Sequence, residues 1–320
     1  MSILERAKEL RKVIKNHEVV FIVGHKDLDL DAIGSALGMC YIVEKFKREA
    51  YIIIDDETFE PAVEKIINQT QKSRFIKSSN LFKKKKNKNL LVVVDTNKEK
   101  LLQNSDLVNE FEDIIVIDHH QPNSSSIQKG MILIDTESSS ACELITELIY
   151  YYGIHLEPEI ATTILGGIVL DTNNFVVKTQ AKTYFAAYHL TSFGADPRKV
   201  QYYLKQDIKD YIIRQKVIID VEIINDKFAV TMGDESIKYK REELAKVADT
   251  LLQFNGITAS FVIGKITEGT IGISARSEGK TDVGEILERL GGGGGPQEAA
   301  TQIQGKNMNS IKKQLLEILK

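Results

Sequence analysis

The stretch EVVFIVGHKDLDLDAIGSALGMCYIVEKF, residues 18–46, joins a strand pattern to a helix pattern through an acidic turn. Its first part, 18–24, is almost continuously apolar and rich in valine, which is typical of a strand that is covered on both faces. Its last part, 32–46, repeats apolar residues at helical spacing. Because a strand followed by a helix is the building unit of parallel sheets, this stretch predicts an α/β fold.

The same alternation of strand and helix patterns continues through the first half of the chain. Further strand patterns lie at residues 50–54, 90–95, 114–118 and 131–135. Helix patterns lie at residues 59–69, 141–152, 158–170 and 182–193. We therefore expect an N-terminal domain built on a parallel sheet with helices on both sides. In such sheets the active site forms outside the carboxyl ends of the strands, where the strand order reverses.

The pattern changes after Gly194, which indicates a second domain. Residues 196–221 are predicted as linker helices between an N-terminal domain, 1–195, and a smaller α+β domain, 222–320. The smaller domain has strand patterns at 227–233, 259–266 and 270–276 and a helix pattern at 242–254. Two domains agree with the length of 320 residues, which is more than one hydrophobic core usually supports.

Charge and composition limit the classes of partner. The net charge of −3 gives no broad basic surface, so we expect a small phosphate-bearing ligand and no long nucleic acid. No apolar run approaches the roughly 20 residues that cross a bilayer, so we expect no membrane contact within this chain. Cys40 and Cys142 lack metal-ligand spacing and indicate a reducing, cytoplasmic compartment. A homodimer is left open.

Four segments of the N-terminal domain each end an apolar run with side chains that can bind metal. They are the turn 25–31, Asp95, the group Asp118-His119-His120, and Asp171. One such aspartate alone is usually a helix cap, and a lone histidine is usually structural. Four sites together are different, because aspartate is costly to bury unless it is paired or bound to a cation. Mixed imidazole and carboxylate ligands suit manganese, iron or zinc, and two such ions can hold a phosphate for in-line attack.

These segments resemble the motifs of the DHH phosphoesterase family in order and spacing. The matching stretches are HKDLDLDAIGSA (25–36), VVVDT (92–96), IVIDHH (115–120) and IVLDT (168–172). GISARS (272–277) and GGGGGPQEAATQI (291–303) resemble the DHH-associated domain that follows in this family. A finer resemblance, to the catalytic part of bacterial cyclic-di-AMP phosphodiesterases, is carried by 138–148, 247–252, 259–277 and 287–303.

The resemblance implies two Mn²⁺ ions and a role for each predicted site residue. One ion would be held by His25, Asp29 and Asp95. The other would be held by Asp31, Asp95, His119 and Asp171, with Asp95 bridging. Two further residues are expected to be catalytic. Asp118 would accept a hydrogen bond that orients a ligand imidazole, and His120 would donate one to the phosphate or the leaving oxygen.

The predicted substrate contacts are fewer and more ambiguous. Arg276 can fork onto a phosphate, and a salt bridge at the rim of the site is its alternative interpretation. Gly292, Gly293 and Gly294 offer backbone N–H groups with no Cβ in the way, and a helical pattern at 299–301 favours a shaped loop over a linker. Two serines that precede a helix are interpreted first as caps and second as substrate contacts. These are Ser139 and Ser140.

The implied function is hydrolysis of cyclic di-AMP to linear pApA. A nanoRNase or pAp phosphatase that acts on short linear oligonucleotides shares the whole predicted metal site and stays an alternative. A non-catalytic nucleotide-binding module is the other alternative, because Gly295 stands where the family's glycine loop normally ends in histidine. Relatives commonly carry preceding membrane helices, so the chain can also be the soluble part of a membrane-anchored protein.

Overall fold

The structure, a computed structural model, describes residues 5–205 and 207–320. The chain divides into two compact units, of which the first ends at Lys205 and the second extends to Lys320. The first unit is built on a parallel sheet and the second on a smaller mixed sheet, which confirms the predicted α/β fold class.

The strands of the first unit form one sheet in the order β3-β2-β1-β4-β5-β6, and all neighbouring pairs are parallel. They are β1 (Val19–Val23), β2 (Glu49–Ile53), β3 (Phe75–Ile76), β4 (Asn89–Val94), β5 (Asp113–Asp118) and β6 (Met131–Ile134). All were predicted except β3, whose two residues are too few to form a pattern. Val23 of β1 pairs with Val93 of β4, so both strands end at the same edge, where the strand order reverses.

The helices of the first unit lie almost entirely on one side of this sheet. They are α1 (Ala7–Lys15), α2 (Leu30–Lys45), α3 (Pro61–Gln69), α4 (Leu107–Glu110), α5 (Ala141–Tyr151), α6 (Pro158–Asp171), α7 (Ala181–Ser192) and α8 (Pro197–Tyr203). Among the described residues, only the short α4 and several 3-10 turns cover the other face, where helices were expected on both. Leu102, Leu107 and Val108, from the connection between β4 and β5, pack on that second face.

Close packing of α2 against α5 and α6 brings their ends together. A Cβ added to Gly34 of α2 would lie 2.7 Å from the Cys142 sulfur of α5. A Cβ added to Gly167 of α6 would lie 2.8 Å from the Asp31 Cα. Because glycine removes these clashes, the start of α2 reaches both the N-terminus of α5 and the C-terminal half of α6.

The second unit is a six-stranded sheet in the order β11-β12-β10-β9-β8-β7, in which β8 and β9 are the parallel pair. Its elements are α9 (Ile208–Ile219), β7 (Glu222–Ile224), β8 (Phe228–Met232), α10 (Arg241–Leu251), β9 (Ala259–Thr267), β10 (Thr270–Ser277), α11 (Val283–Glu288), β11 (Gly293–Gly294), β12 (Glu298–Gln304) and α12 (Met308–Leu319). The helical pattern predicted at 299–301 is wrong. These residues lie in β12, where Ala299 and Thr301 are buried and pair with β10. This strand pairing outweighs the local preference of alanine for a helix.

The segment predicted as a linker, 196–221, contains α8 of the first unit and α9 of the second. The functional domain limits at residues 195 and 222 remain predictions. Cys40 and Cys142 are both free and buried. Within the described residues, every helix is too short or too polar to span a bilayer.

Candidate metal centre

The six predicted metal ligands come together at the carboxyl edge of the parallel sheet in the first unit. Their side-chain atoms form two groups, each with its members within 4.8 Å of one another. The first group is His25, Asp29 and Asp95, and the second is Asp31, His119 and Asp171. A further group, Asp95, Asp118, His119 and His120, overlaps these two. The number of ions and the assignment of ligands to each stay predictions.

The first group is built where β1 turns into α2. His25 Nε2 lies 3.4 Å from Asp95 Oδ2 and 3.7 Å from Asp29 Oδ1. The other ring nitrogen, Nδ1, lies 2.8 Å from the Lys26 carbonyl oxygen, so Nδ1 carries the proton and Nε2 faces the carboxylates. Asp29 caps α2, because its Oδ1 accepts hydrogen bonds from the backbone N–H groups of Asp31 and Ala32 at 2.9 Å.

The second group lies between the starts of α2 and α5 and the end of α6. His119 Nε2 lies 3.1 Å from Asp171 Oδ2 and 3.9 Å from Asp31 Oδ2. Asp31 is fully buried, and its two oxygens accept hydrogen bonds from the backbone N–H groups of Ala141 and Cys142 at 2.7 and 2.8 Å. Both N–H groups belong to the first turn of α5, so the N-terminus of this helix offsets part of the cost of burying the Asp31 carboxylate.

Asp95 stands between the two groups. It follows β4 with a φ of 58°, a left-handed conformation that aspartate tolerates better than most side chains. Its Oδ2 faces His25, whereas its Oδ1 lies 3.4 Å from His119 Nε2. Only 3% of its side chain is exposed, so Asp95 is a buried carboxylate that contacts both imidazoles.

Several polar atoms of this cluster are buried without a hydrogen bond of good geometry. They are Asp95 Oδ1 and both ring nitrogens of His119, which find no such partner among the described residues. A buried polar atom without a partner is costly, so each of them calls for an explanation. A divalent cation would satisfy Asp95 Oδ1 and His119 Nε2, the ring nitrogen that faces the carboxylates. The mixed imidazole and carboxylate set suits manganese, iron or zinc. The residues therefore fit a metal centre.

The charges of the cluster point the same way. Burial, followed by the charges of Asp95 and Asp171, raises the pKa of Asp31 well above its usual range. Burial alone would lower the pKa values of His25 and His119, but contacts with the surrounding carboxylates outweigh it and raise both to about 11. Without bound cations, the two protonated imidazoles therefore balance part of the negative charge of the carboxylates.

Asp118 and His120 form a third arrangement beside the cluster. Asp118 Oδ1 lies 2.8 Å from His120 Nδ1 and also accepts a hydrogen bond from the backbone N–H of His119 at 2.8 Å. The carboxylate therefore orients the ring of His120, whereas it was expected to orient a ligand imidazole. Nδ1 donates to Asp118, 54% of the His120 side chain is exposed, and its Nε2 has no hydrogen-bond partner among the described residues.

The sequence did not reveal two polar residues that support these groups. Buried Asn97 donates from Nδ2 to Asp118 Oδ2 at 2.6 Å and to the His120 carbonyl oxygen at 3.1 Å. Gln103 donates to the carbonyl oxygen of His25 at 2.8 Å and fixes the backbone there. Asn97 could have been predicted, because its amide follows directly after Asp95 and Thr96 at the end of a strand. Nothing in the sequence around Gln103 indicates its role.

Two family models match the chain. The model described as "DHH family, N-terminal domain" matches residues 19–168, and the DHHA1 domain matches residues 225–320. The chain belongs to the DHH family. The DHH match contains five of the six residues of the metal cluster, and Asp171 lies just beyond it.

Curated relatives of this DHH chain include two bacterial proteins. The cyclic-di-AMP phosphodiesterase PdeA of Listeria monocytogenes is 35% identical over an aligned length of 326 residues, gaps included. The alignment covers 98% of this chain and 49% of PdeA. The cyclic-di-AMP phosphodiesterase GdpP of Geobacillus thermodenitrificans is 35% identical over 318 residues, which cover 97% of this chain and 48% of GdpP. The chain thus spans about half the length of these relatives.

One solved structure is similar to the DHH chain over almost its whole length. It is the crystal structure of an exopolyphosphatase-related protein from Bacteroides fragilis, with a TM-score of 0.81. The likeness covers 98% of this chain and 96% of that one at 21% sequence identity. At this identity the likeness concerns the fold alone.

Within the DHHA1 domain, Arg276 is engaged by its own unit. Its Nε donates to Asp249 Oδ1 at 2.8 Å, and Glu298 Oε2 lies 4.0 Å from its second terminal nitrogen. Burial raises the pKa of Asp249, and the Arg276 charge works against that rise. The salt-bridge interpretation of Arg276 thus describes its contacts here, and a substrate contact stays a prediction.

The predicted glycine contacts lie in a tight hairpin. Gly293 pairs with Ala300 and Gly294 with Ala299, so β11 adds an edge strand to β12. A Cβ at Gly292 would lie 2.3 Å from the Thr301 Cβ, which explains why glycine is needed there. A shaped hairpin thus replaces the predicted loop, and a substrate contact by these glycines stays a prediction.

Ser139 and Ser140, the two serines predicted as caps or substrate contacts, are fully buried directly before α5. Ser140 caps α5 by accepting a hydrogen bond from the Glu143 backbone at 3.0 Å, as its first interpretation has it. The cap interpretation is wrong for Ser139, because its hydroxyl donates to the Glu143 side chain, Oε2, at 2.6 Å. A substrate contact by either serine stays a prediction.

Proposed function

We propose that this chain is a phosphodiesterase that uses two Mn²⁺ ions to hydrolyse cyclic di-AMP to linear pApA. The observation that carries the proposal is the convergence of six carboxylate and imidazole ligands at one sheet edge. The choice of substrate is supported by 35% identity to two proteins named cyclic-di-AMP phosphodiesterases.

In this proposal His25, Asp29 and Asp95 hold one ion. Asp31, Asp95, His119 and Asp171 hold the other, and Asp95 is shared. When bound, a pair of divalent cations supplies Lewis-acid activation of water and offsets the negative charge of the phosphate. Backbone N–H groups that already bind Asp29 and Asp31 keep these two carboxylates in one orientation, which makes the site rigid before substrate arrives.

The role proposed for His120 is to hold a proton close to the reacting phosphate. Its Nδ1 donates to Asp118, and Asp118 is itself fixed by Asn97 at 2.6 Å. A protonated His120 would then donate from its exposed Nε2 edge to a phosphate oxygen or to the leaving 3′ oxygen. Asp118 acts by positioning the ring.

The test is a comparison of substrates with the purified chain. Cyclic di-AMP, cyclic di-GMP, pApA and pAp are each incubated with Mn²⁺, and the products are separated by ion-exchange chromatography. We expect cyclic di-AMP to turn over fastest and pApA to accumulate, with all turnover lost on chelation. An exposed carboxylate away from the site provides the matched control, Asp106→Asn, which should behave as the wild type.

Other results would point to the alternatives. Faster turnover of pApA or pAp than of cyclic di-AMP would identify a nanoRNase or pAp phosphatase. Nucleotide binding without any hydrolysis would identify a non-catalytic nucleotide-binding module, the function that Gly295 favours by removing the usual loop histidine. Either result would overturn the proposal.

A further inference from the structure

The segment that enters α5, residues 138–143, is buried although most of its side chains are polar. Ser138, Ser139, Ser140 and Glu143 have no exposed surface. A buried carboxylate is costly unless it is hydrogen-bonded and lies close to a positive charge. The Ser139 hydroxyl gives Glu143 one hydrogen bond, and the positive charge comes from another helix.

That charge is the ammonium group of Lys182, the second residue of α7. Lys182 Nζ donates to Ser138 Oγ at 2.8 Å and to Asp135 Oδ2 at 3.0 Å. It also lies 3.6 Å from Glu143 Oε1, a buried oxygen without a hydrogen bond of good geometry among the described residues. The three N–H groups of one ammonium thus face three acceptors. Lys182 ties the start of α7 to the segment that enters α5.

Lys182 also balances the negative charge around this segment. Burial would raise the pKa of Asp135, but the hydrogen bond from Lys182 outweighs burial and lowers it. Burial raises the pKa of Glu147, one turn further along α5, and the charge of Lys182 works against that rise. A neutral side chain at position 182 would leave the Glu143 carboxylate buried without its positive partner. The first turn of α5 would then have to shift to bring that carboxylate to water.

A shift of this turn would reach the metal cluster directly. The first two backbone N–H groups of α5 hold the Asp31 carboxylate, at 2.7 and 2.8 Å. Ser140 caps the same turn by accepting a hydrogen bond from the N–H of Glu143, and the Glu143 side chain faces Lys182. The path from the Lys182 ammonium to Asp31 therefore runs through a single helical turn.

We propose that Lys182 is a positioning residue of the metal centre, which fixes the first turn of α5 and thereby the orientation of the Asp31 carboxylate. A carboxylate that is already fixed loses less conformational freedom when it binds a cation. The proposal rests on the proposed function only in requiring that the cluster binds Mn²⁺, and it is independent of the substrate.

Mn²⁺ binding to the full chain, followed by the electron paramagnetic resonance signal of free Mn²⁺, tests the proposal without substrate. Lys182→Met keeps the aliphatic stem and removes the ammonium. We expect it to weaken Mn²⁺ binding about 10- to 100-fold, the usual effect of losing a group that orients a metal ligand. Lys182→Arg should recover most of the affinity, because it keeps the positive charge. Lys182→Gln is a second neutral variant and should behave as Lys182→Met does.

Lys129→Met is the matched control within the first unit. The Lys129 ammonium donates to the backbone carbonyl oxygens of Val108 and Phe111, so its loss also removes hydrogen bonds, but away from α5. We expect Lys129→Met to lower the thermal stability of the metal-free chain and to bind Mn²⁺ as the wild type does. This control separates a general loss of stability from loss of ligand orientation.

Three results would overturn the proposal while leaving the proposed function intact. The first is Mn²⁺ affinity equal to that of the wild type in both Lys182→Met and Lys182→Gln. The second is a loss of affinity in Lys129→Met as large as that in Lys182→Met. The third is loss of the fold in both neutral variants, which would make Lys182 a residue of general stability. A wild type that binds no Mn²⁺ would overturn the proposed function and this proposal together.

Discussion

The metal cluster of the first unit and the glycine hairpin region of the second differ in how their charges are balanced. Around Asp95, buried carboxylates and imidazoles leave polar atoms without partners and shift pKa values far from the ordinary range. Around Arg276, the charge is already neutralised by Asp249. The first region therefore needs charge from outside the chain, whereas in the second any anionic substrate must compete with an internal ion pair.

The largest effect should come from the residue that joins the two groups of the cluster. Asp95→Asn keeps the shape of the side chain and tolerates the left-handed backbone, but it removes the shared charge. Under the proposed function we expect Mn²⁺-dependent hydrolysis of cyclic di-AMP to fall about 1000-fold or more, with thermal unfolding little changed. Asp106→Asn serves as the control. Activity within tenfold of the wild type would show that Asp95 does not bridge two cations.

Proton release on metal binding tests the charge imbalance directly. The pKa values of His25 and His119 are raised to about 11, so both imidazoles carry a proton in the metal-free chain at neutral pH. A ligand imidazole must lose that proton, and Mn²⁺ affinity should therefore rise with pH, by about tenfold per pH unit for each proton released. Calorimetry in buffers of different protonation enthalpy counts the protons.

His25 and His119 can each release a proton, and Asp31, whose pKa is also raised, can release another. We expect one proton fewer for His25→Gln than for the wild type. Equal proton release in the two proteins, or none in either, would contradict the raised pKa values of the two imidazoles. Asp106→Asn again provides the unchanged reference.

The comparison also separates what the sequence predicts from what it does not. Strand exits such as Asp95 and Asp118-His119 are predictable, because a polar group directly after a buried strand is placed by the strand itself. The hydrogen bonds that Asp31 accepts from Ala141 and Cys142 are not predictable from the sequence. They join residues more than a hundred positions apart, which only helix packing brings together. The strand at 299–301 was missed for the same reason, as pairing with β10 decides it.

Asn97 tests whether the support around the cluster matters for rate. Asn97→Ala removes the amide that fixes Asp118, so the ring of His120 loses its fixed orientation. We expect kcat for cyclic di-AMP to fall about 10- to 100-fold, with KM changed far less. Asn109→Ala, an exposed amide on α4, is the matched control. A change confined to KM would mean that Asn97 acts on substrate binding and does not position His120.

A smaller effect on activity is expected at Arg276, whose charge is already balanced by Asp249. If Arg276 contacts substrate, Arg276→Ala should raise KM for cyclic di-AMP about tenfold with kcat little changed. Asp249→Asn should act in the opposite direction, lowering KM a few-fold, because it releases Arg276 from its ion pair. Arg289→Ala, which breaks an exposed pair with Glu285, controls for loss of a guanidinium. Equal KM values in all these variants would leave Arg276 as a salt bridge only.

The smallest effect concerns Gly295, where the family's loop histidine is missing. The backbone there is not left-handed, and the nearest neighbour of an added Cβ is the Glu298 oxygen at 3.9 Å, so a Cβ fits without strain. Gly294, in contrast, has a φ of 153° and a clash at 2.4 Å. We expect Gly295→His to lower KM for cyclic di-AMP about tenfold, which corresponds to about 1.4 kcal/mol, the low end for one added hydrogen bond to a charged group. Gly295→Ala adds the Cβ alone and should match the wild type. If both variants bind the dinucleotide as the wild type does, the hairpin does not touch substrate, and the second region contributes less than the resemblance implies.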